Sequence, residues 1–208
     1  MQNPNTDRER VLLGLLHSVE QDGLRSQRHM ASEFNVALGL VNTYLKYCVR
    51  KGYVKVKRIP ARRYAYILTP KGMAEKSRLT VAHLSYSLTF FRQAREDCLH
   101  ALKFAEARGW RRIALCGAGD LADIAFLCAD GSGTQLTGIV DASCSKTIFR
   151  GLPVVPDVDD LAPFDAVLVT DQSNPQYVYD QLVSRLESER VLPLAVLRIS
   201  PVPARMAG

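Results

Sequence analysis

The stretch "RRIALCGAGDLADIAFLC", residues 111–128, passes from an apolar strand-like run through a glycine turn into a helix-like run, and its "GAGDLA" fits G-x-G-x-x-A. In that pattern Gly117 makes the tight turn, Gly119 lets backbone N–H groups approach a phosphate, and Ala122 lets a helix lie close on a sheet. Asp141 stands 22 residues after Gly119, at the end of the apolar run "QLTGIV". An acidic side chain there accepts hydrogen bonds from ribose hydroxyls and repels a 2′-phosphate, which makes NADP the least suitable dinucleotide. Thr170, Asp171 and Ser173 follow "FDAVLV", at the carboxyl end of a further strand, where open parallel sheets take their ligands. The site expected from these spacings comprises Gly117, Gly119, Asp120, Leu121, Asp141, Ser143, Thr170 and Asp171. Asp120 is a departure, because an acid at a helix start already satisfies the positive end of the dipole and repels a pyrophosphate. A structural domain that binds no ligand is the alternative.

A second set of residues suits nucleic acid. Between Glu33 and Glu75 lie nine basic residues (Lys46, Arg50, Lys51, Lys55, Lys57, Arg58, Arg62, Arg63 and Lys71) and no acidic one. A solvated face mixes its signs, whereas an unopposed cluster is the footprint of phosphate contacts. Within the cluster, "GLVNTYLKYCVRKG" reads as a helix with Leu38, Val41, Leu45 and Cys48 or Val49 inward. Gly39, Asn42, Thr43 and Lys46 are left outward near its start. Asn pairs with adenine, Thr touches the thymine methyl, and Lys reaches guanine or phosphate, each good contact being worth about 1–3 kcal/mol. Arg50, Lys57, Arg58, Arg62 and Arg63 complete the expected DNA-binding set; an ordinary solvated polar face is the bland alternative.

The elements that position both sets follow from periodicity. Val11, Leu12, Leu15, Leu16 and Val19 recur at helical spacing from Asp7 to about Gln21, and Gly23 ends the run. "SQRHMASEF" opens with a Ser cap and "NVAL" turns the chain, so two helices across a short turn make a helix-turn-helix. "YVKVKRIPARRYAYILT" alternates apolar and polar residues as two strands about Pro-Ala-Arg-Arg, a wing. Thr69-Pro70 then opens a long helix to about Arg108. Along it Ala74, Ser77, Val81, Leu84, Leu88, Phe91, Arg95, Cys98, Leu102 and Ala105 keep the spacing of a heptad seam, which predicts a homodimer reading a pseudopalindromic DNA operator. Packing of that stripe on the chain's own domains is the alternative. "LPVVP", "FDAVLVTD" and "LPLAVLRIS" supply further strands of a parallel sheet. The expected fold is α/β, with a winged helix-turn-helix over residues 1–70, a linker and dimerisation helix over 71–109 and a small Rossmann-like domain over 110–208.

Charge divides the same way. Residues 1–110 carry 19 Lys/Arg against 9 Asp/Glu and residues 111–208 carry 8 against 12, so the basic surface belongs to the first half. The opening "MQNPNTDRER" is polar and "VLLGLL" is far shorter than the roughly 20 residues of a membrane span, so no leader, no membrane partner and a cytoplasmic location are expected. Five cysteines form no C-x-x-C pair and sit mostly in apolar surroundings, which predicts reduced core thiols. Cys144, in the polar "ASCSK", is the exception: an idle loop thiol is expected there, with a redox or alkylation sensor as the alternative.

The run "ASEFNVALGLVNTYLKYCVRKGYVKVKR...YAYILTPKGMAEKSRLTVAHL" resembles the MarR-type winged-helix regulators associated with exopolysaccharide gene clusters, over about residues 8–95. Leu40 stands where a charged residue is common in that family. The resemblance implies a transcriptional regulator in which Asn42, Thr43 and Lys46 face bases. Residues 111–172, with "GAG...GIVDAS...FRGLPVVPDVDDL...FDAVLVT", resemble the nucleotide-sugar-binding domain of sugar acyltransferases and the dinucleotide domain of the redox-sensing repressor Rex. That resemblance implies a nucleotide-type effector: a nucleotide sugar first, NAD(H) second. An architectural DNA-binding protein with a ligand-free dimerisation domain is the rival from another class. No enzyme is expected, since Tyr47 and Lys51 are a Tyr-x-x-x-Lys pair only within the DNA-facing helix. His17, His29, His83 and His100 also lack metal-ligand spacing.

Overall fold

The computed structural model describes residues 4–60, 63–161 and 163–201, with Pro4–Asp7 and Arg63 described at the backbone. The described residues form helices α1 (Pro4–Gln21), α2 (Gln27–Glu33) and α3 (Leu38–Lys51), strands β1 (Val54–Ile59) and β2 (Arg63–Leu68), and the 38-residue helix α4 (Pro70–Ala107). There follow β3 (Arg112–Cys116), α5 (Asp120–Ala129), β4 (Gln135–Val140), β5 (Ile148–Phe149), β6 (Leu152–Val155), β7 (Ala166–Val169), α6 (Pro175–Arg185) and β8 (Val191–Leu192). The chain divides into two compact units, with the division between Ser87 and Leu88 inside α4.

The first unit packs three helices and an antiparallel hairpin around one core. Leu12, Leu15, Leu16 and Val19 of α1 meet Met30, Ala31, Val41, Leu45, Cys48, Val54, Tyr66 and Leu79. Ser26 caps α2 by accepting the His29 N–H at 3.2 Å, Asn35 takes a left-handed φ of 51° in the turn, and α3 stops at Gly52 with φ 75°. Gly23 is required for contact: a Cβ there would stand 2.1 Å from the Tyr66 carbonyl oxygen, and the Gly23 carbonyl accepts the Tyr66 N–H at 2.8 Å. The expected inward face of α3 is corrected at its ends. Val41, Leu45 and Cys48 are buried, but Leu38 and Val49 are exposed, because 3.6 residues per turn carries both beyond the stripe that α1 and α2 cover.

In the second unit the order β5-β6-β4-β3-β7-β8 is parallel except for the edge strand β5. Counting only the parallel strands along the chain, the order is 3-2-1-4-5, a Rossmann-like doubly wound arrangement that reverses between β3 and β7. Ile113, Leu115, Ile139, Ala166 and Leu168 join Ala94, Cys98, Leu102 and Ala105 of α4 and Leu121, Ala122 and Ala125 of α5 in one core. On the other core Ala114, Val140, Val167 and Val169 meet Tyr179 and Leu182 of α6.

Two expectations change here. The last strand is Val191–Leu192, pairing Val167 and Leu168, and Ala195–Leu197 is a short 3₁₀ turn; Pro193 has no N–H to continue the ladder. The heptad stripe also splits. Cys98, Leu102 and Ala105 are buried in the second unit's own core, so that end is intramolecular, whereas Ala74, Ser77, Val81, Leu84, Leu88, Phe91 and Arg95 are exposed. No helix among the described residues is long and apolar enough to cross a membrane.

Candidate functional site

The glycine turn joins β3 to α5 at the reversal of strand order. Gly117 has φ 110°, and a Cβ there would lie 2.5 Å from the Asp171 backbone. Its smallness therefore admits the neighbouring strand end. Thr170, buried, closes the same contact by donating its hydroxyl to the Gly117 carbonyl at 2.7 Å and the Cys116 carbonyl at 3.0 Å. Gly119 caps α5, no side chain caps that helix, and a Cβ built on Gly119 meets nothing within 4 Å. Open space beside uncapped N–H groups is what a phosphate needs, and Asp120, exposed at the first helical position, opposes it.

Asp141 does something the spacing did not reveal. Its Oδ2 accepts the Ala118 N–H at 2.9 Å, and its Oδ1 accepts the Ser143 N–H at 2.9 Å, the Ser143 hydroxyl at 2.7 Å and the Cys144 N–H at 3.1 Å. Burial alone would raise this carboxyl, but the hydrogen bonds from Ala118, Ser143 and Cys144 hold it below its ordinary value. Oδ1 is full, so Asp141 retains acceptor capacity for one ribose hydroxyl on Oδ2 and not the pair expected of it. Ser143 spends its N–H and its hydroxyl hydrogen in this turn and keeps its hydroxyl oxygen as an acceptor. Asp171 is likewise occupied, its Oδ1 accepting the Ser173 and Asn174 N–H groups at 2.9 and 2.7 Å ahead of α6. The side chain of Leu121 is buried in the core, which corrects its place in the expected site to its backbone alone. A nucleotide thus fits the glycine turn in part: a phosphate on Gly119 and the α5 start, with one hydroxyl on Asp141.

The thiols behave as core residues. Burial pushes Cys48, Cys98 and Cys116 up to about 12 and raises Cys128. Cys144 is half-buried. No group of three or more His, Cys, Asp or Glu suited to a metal occurs among the described residues.

On the first unit, α3 and the hairpin diverge around a cavity of about 470 Å³ lined by Asn42, Lys46, Arg50, Val56 and Tyr64 among others, with Tyr66 and Gln27 at its base. The register pairs Val56 with Tyr66 and Arg58 with Tyr64 on the hairpin face turned to this cavity, and alternation turns Lys55 and Lys57 to the opposite face. Gln27 ties α2 to the hairpin by donating to the Tyr66 hydroxyl at 2.9 Å. Gly39, Thr43, Lys46, Arg50, Lys57 and Arg58 are exposed and Asn42 is half-buried. Thr43 spends its hydroxyl hydrogen on the Gly39 carbonyl at 2.9 Å, leaving its methyl for contact. Arg62 lies outside the described residues, and of Arg63 only the backbone is described. Tyr47, unnoticed as a charge organiser, gathers Arg8, Arg50 and Lys51 within 5.3–5.9 Å of its ring; its spacing of three and four from Arg50 and Lys51 was the available signal.

A smaller cavity of about 260 Å³ on the second unit is lined by Asp97, His100, Phe104 and Leu192 among others. Neither cavity is lined by the glycine turn.

No protein-family model matches the chain, and no curated protein matches it. Among solved structures it is weakly similar to human N-acetylserotonin methyltransferase in complex with SAM, at 13% identity over 87% of this chain and 72% of that chain, with a TM-score of 0.35. It is also similar to PigF with SAH, at 13% identity over 90% of this chain and 57% of that chain, with a TM-score of 0.23. These findings correct the expectation that the chain is no enzyme. That expectation rested on a missing acid–base constellation, and such an absence excludes no enzyme. Likenesses of this strength carry no reaction or substrate over to this chain.

Proposed function

We propose that the chain is a dimeric, sequence-specific DNA-binding transcriptional regulator of winged helix-turn-helix type, gated by a nucleotide-type effector in its second unit. The observation that carries it is the placement of Asn42, Lys46 and Arg50 along the outer side of α3, beside a hairpin bearing Lys55, Lys57 and Arg58, within a stretch free of acids. α3 has the right exposure for a major-groove helix and β1–β2 the right position for a wing. The resemblance of this half to MarR-type regulators of exopolysaccharide clusters agrees with that reading and makes polysaccharide-related genes the target.

The exposed part of the α4 stripe supports the dimer. Val81 and Leu84, 64% and 56% exposed, and Leu88 and Phe91 follow one another at three and four residues, as a seam with a second copy requires. Two α3 helices would then read a pseudopalindrome. An effector that prefers one spacing of those helices shifts operator occupancy by its differential affinity. A nucleotide sugar leads, with NAD(H) second. The tie of Asp141 to Ala118 favours the other reading of this unit, a ligand-free dimerisation domain.

The test has two arms. A duplex selected from a random-sequence pool should bind at least about 1,000-fold more tightly than a scrambled duplex near physiological salt. UDP-, GDP- and CMP-linked sugars, NAD and NADH are then assayed by thermal shift, where a ligand at 100 times its Kd stabilises the fold by about 2.7 kcal/mol. Equal binding of both duplexes removes sequence-specific regulation, and no shift with any ligand leaves a regulator without this effector.

A further inference from the structure

The cavity between α3 and the hairpin has two unlike parts. Its walls include Val49, Val56 and Tyr64, which are 43%, 43% and 48% exposed, and its cations are Lys46 and Arg50. Among the described residues no carboxylate lines it, and none occurs in the sequence between Glu33 and Glu75. It is a trench, open to solvent rather than enclosed. A small ligand is usually enclosed over most of its surface, so an open trench suits a strand that passes through.

We propose that this trench seats the sugar-phosphate backbone of one DNA strand, with deoxyribose carbons against Val49, Val56 and Tyr64 and the flanking phosphates on Lys46 and Arg50. The inference rests on the DNA-binding reading and deepens it. A helix in the major groove and a hairpin at the adjoining minor groove straddle the backbone that separates the two grooves. That backbone alternates an anionic phosphate with a largely hydrocarbon sugar, and the trench offers cations and apolar surface side by side. The splay is fixed from within: Leu45 of α3 and Tyr66 of β2 are buried in the shared core, and the Gln27–Tyr66 hydrogen bond holds the floor in place. Val49 and Tyr64 each keep nearly half of their surface open to solvent.

The two kinds of contact separate by salt. Phosphate contacts release counterions and steepen the salt dependence, whereas a sugar packed on an aromatic ring releases none. Fluorescence anisotropy over a salt series, with the selected and the scrambled duplex, is run on the parent chain and on Tyr64→Ala, Tyr64→Phe, Val49→Ser and Arg50→Ala. Tyr64→Ala and Val49→Ser should each weaken both duplexes about tenfold at an unchanged salt slope. Tyr64→Phe should restore wild-type binding, and Arg50→Ala should flatten the slope by about one. Wild-type affinity in Tyr64→Ala and Val49→Ser, with the parent protein still binding, overturns the backbone seat alone. Failure of the parent to bind either duplex overturns the DNA reading with it. Stabilisation of the parent by benzoate, lost in Tyr64→Ala and accompanied by displacement of DNA, gives the trench to a small aromatic anion instead and also overturns the proposal.

Discussion

The Asp141 carboxylate accepts the Ala118 N–H at 2.9 Å and so braces the glycine turn from the end of the neighbouring strand. Truncating it strands that donor together with those of Ser143 and Cys144. Asp141→Ala should therefore destabilise the second unit by about 1–3 kcal/mol at neutral pH. The folded carboxyl is held below its ordinary value, so its contribution is present above the usual carboxylate range and is lost as the pH falls through the lowered folded value. In thermal melts the gap between Asp141→Ala and the parent should be widest near pH 7 and close in acid. A gap that stays constant with pH would place the effect elsewhere.

Asp165 makes the same argument at the entrance to β3. It accepts the Arg111 and Arg112 N–H groups at 2.9 and 2.8 Å and pairs with the Arg112 guanidinium at 3.0 Å. The Arg112 backbone hydrogen bond first, with the guanidinium behind it, draws the carboxyl from 3.8 to about 2. This stabilisation is complete above the unfolded value and disappears between about pH 4 and pH 2. Urea unfolding should show the parent losing stability over that window and Asp165→Asn losing less; parallel curves would contradict the assignment.

Much of this was legible in the residues. The Ser26 cap, the Gly52 stop, the Thr69-Pro70 start and the buried run "RIALC" all announced their elements, because caps and periodicity are local. The α4 stripe was not separable, since one spacing serves a dimer seam and a helix lying on its own core; only burial distinguishes Cys98 from Val81. Asp141 was placed correctly at a strand end, but its distance along the chain could not say whether a ribose or the Ala118 N–H reaches it first. The trench was illegible because it depends on how far the hairpin diverges from α3, which the alternation of Val56 and Tyr64 does not encode.

Two glycines should answer oppositely to alanine. At Gly72 a Cβ would stand 2.1 Å from the Tyr53 carbonyl oxygen, and at Gly39 it meets nothing. Gly72→Ala should cost several kcal/mol through the forced shift of β1 against α4, whereas Gly39→Ala should stabilise α3 by up to about 1 kcal/mol. Denaturant unfolding of both variants checks this, and a tolerated Gly72→Ala would contradict the close approach.

If a second copy covers the α4 stripe, an acid on it should separate the copies and leave each fold intact. Leu84→Glu and Leu88→Glu, both exposed in one chain, should convert a dimer to a monomer by light scattering with unchanged circular dichroism. Cys98→Ala, buried in the second unit's core, should lower the melting temperature and leave the dimer in place. A monomeric parent would end this account of the stripe.

The most direct test of the central claim is the affinity of Asn42→Ala for the selected and the scrambled duplex, measured side by side at one salt concentration. Asn42 stands on the outer side of α3 beside Lys46, and loss of a base contact should weaken the selected duplex by about 1–3 kcal/mol and leave the scrambled one nearly unchanged. Equal losses on both duplexes, or none on either, would contradict base reading by α3.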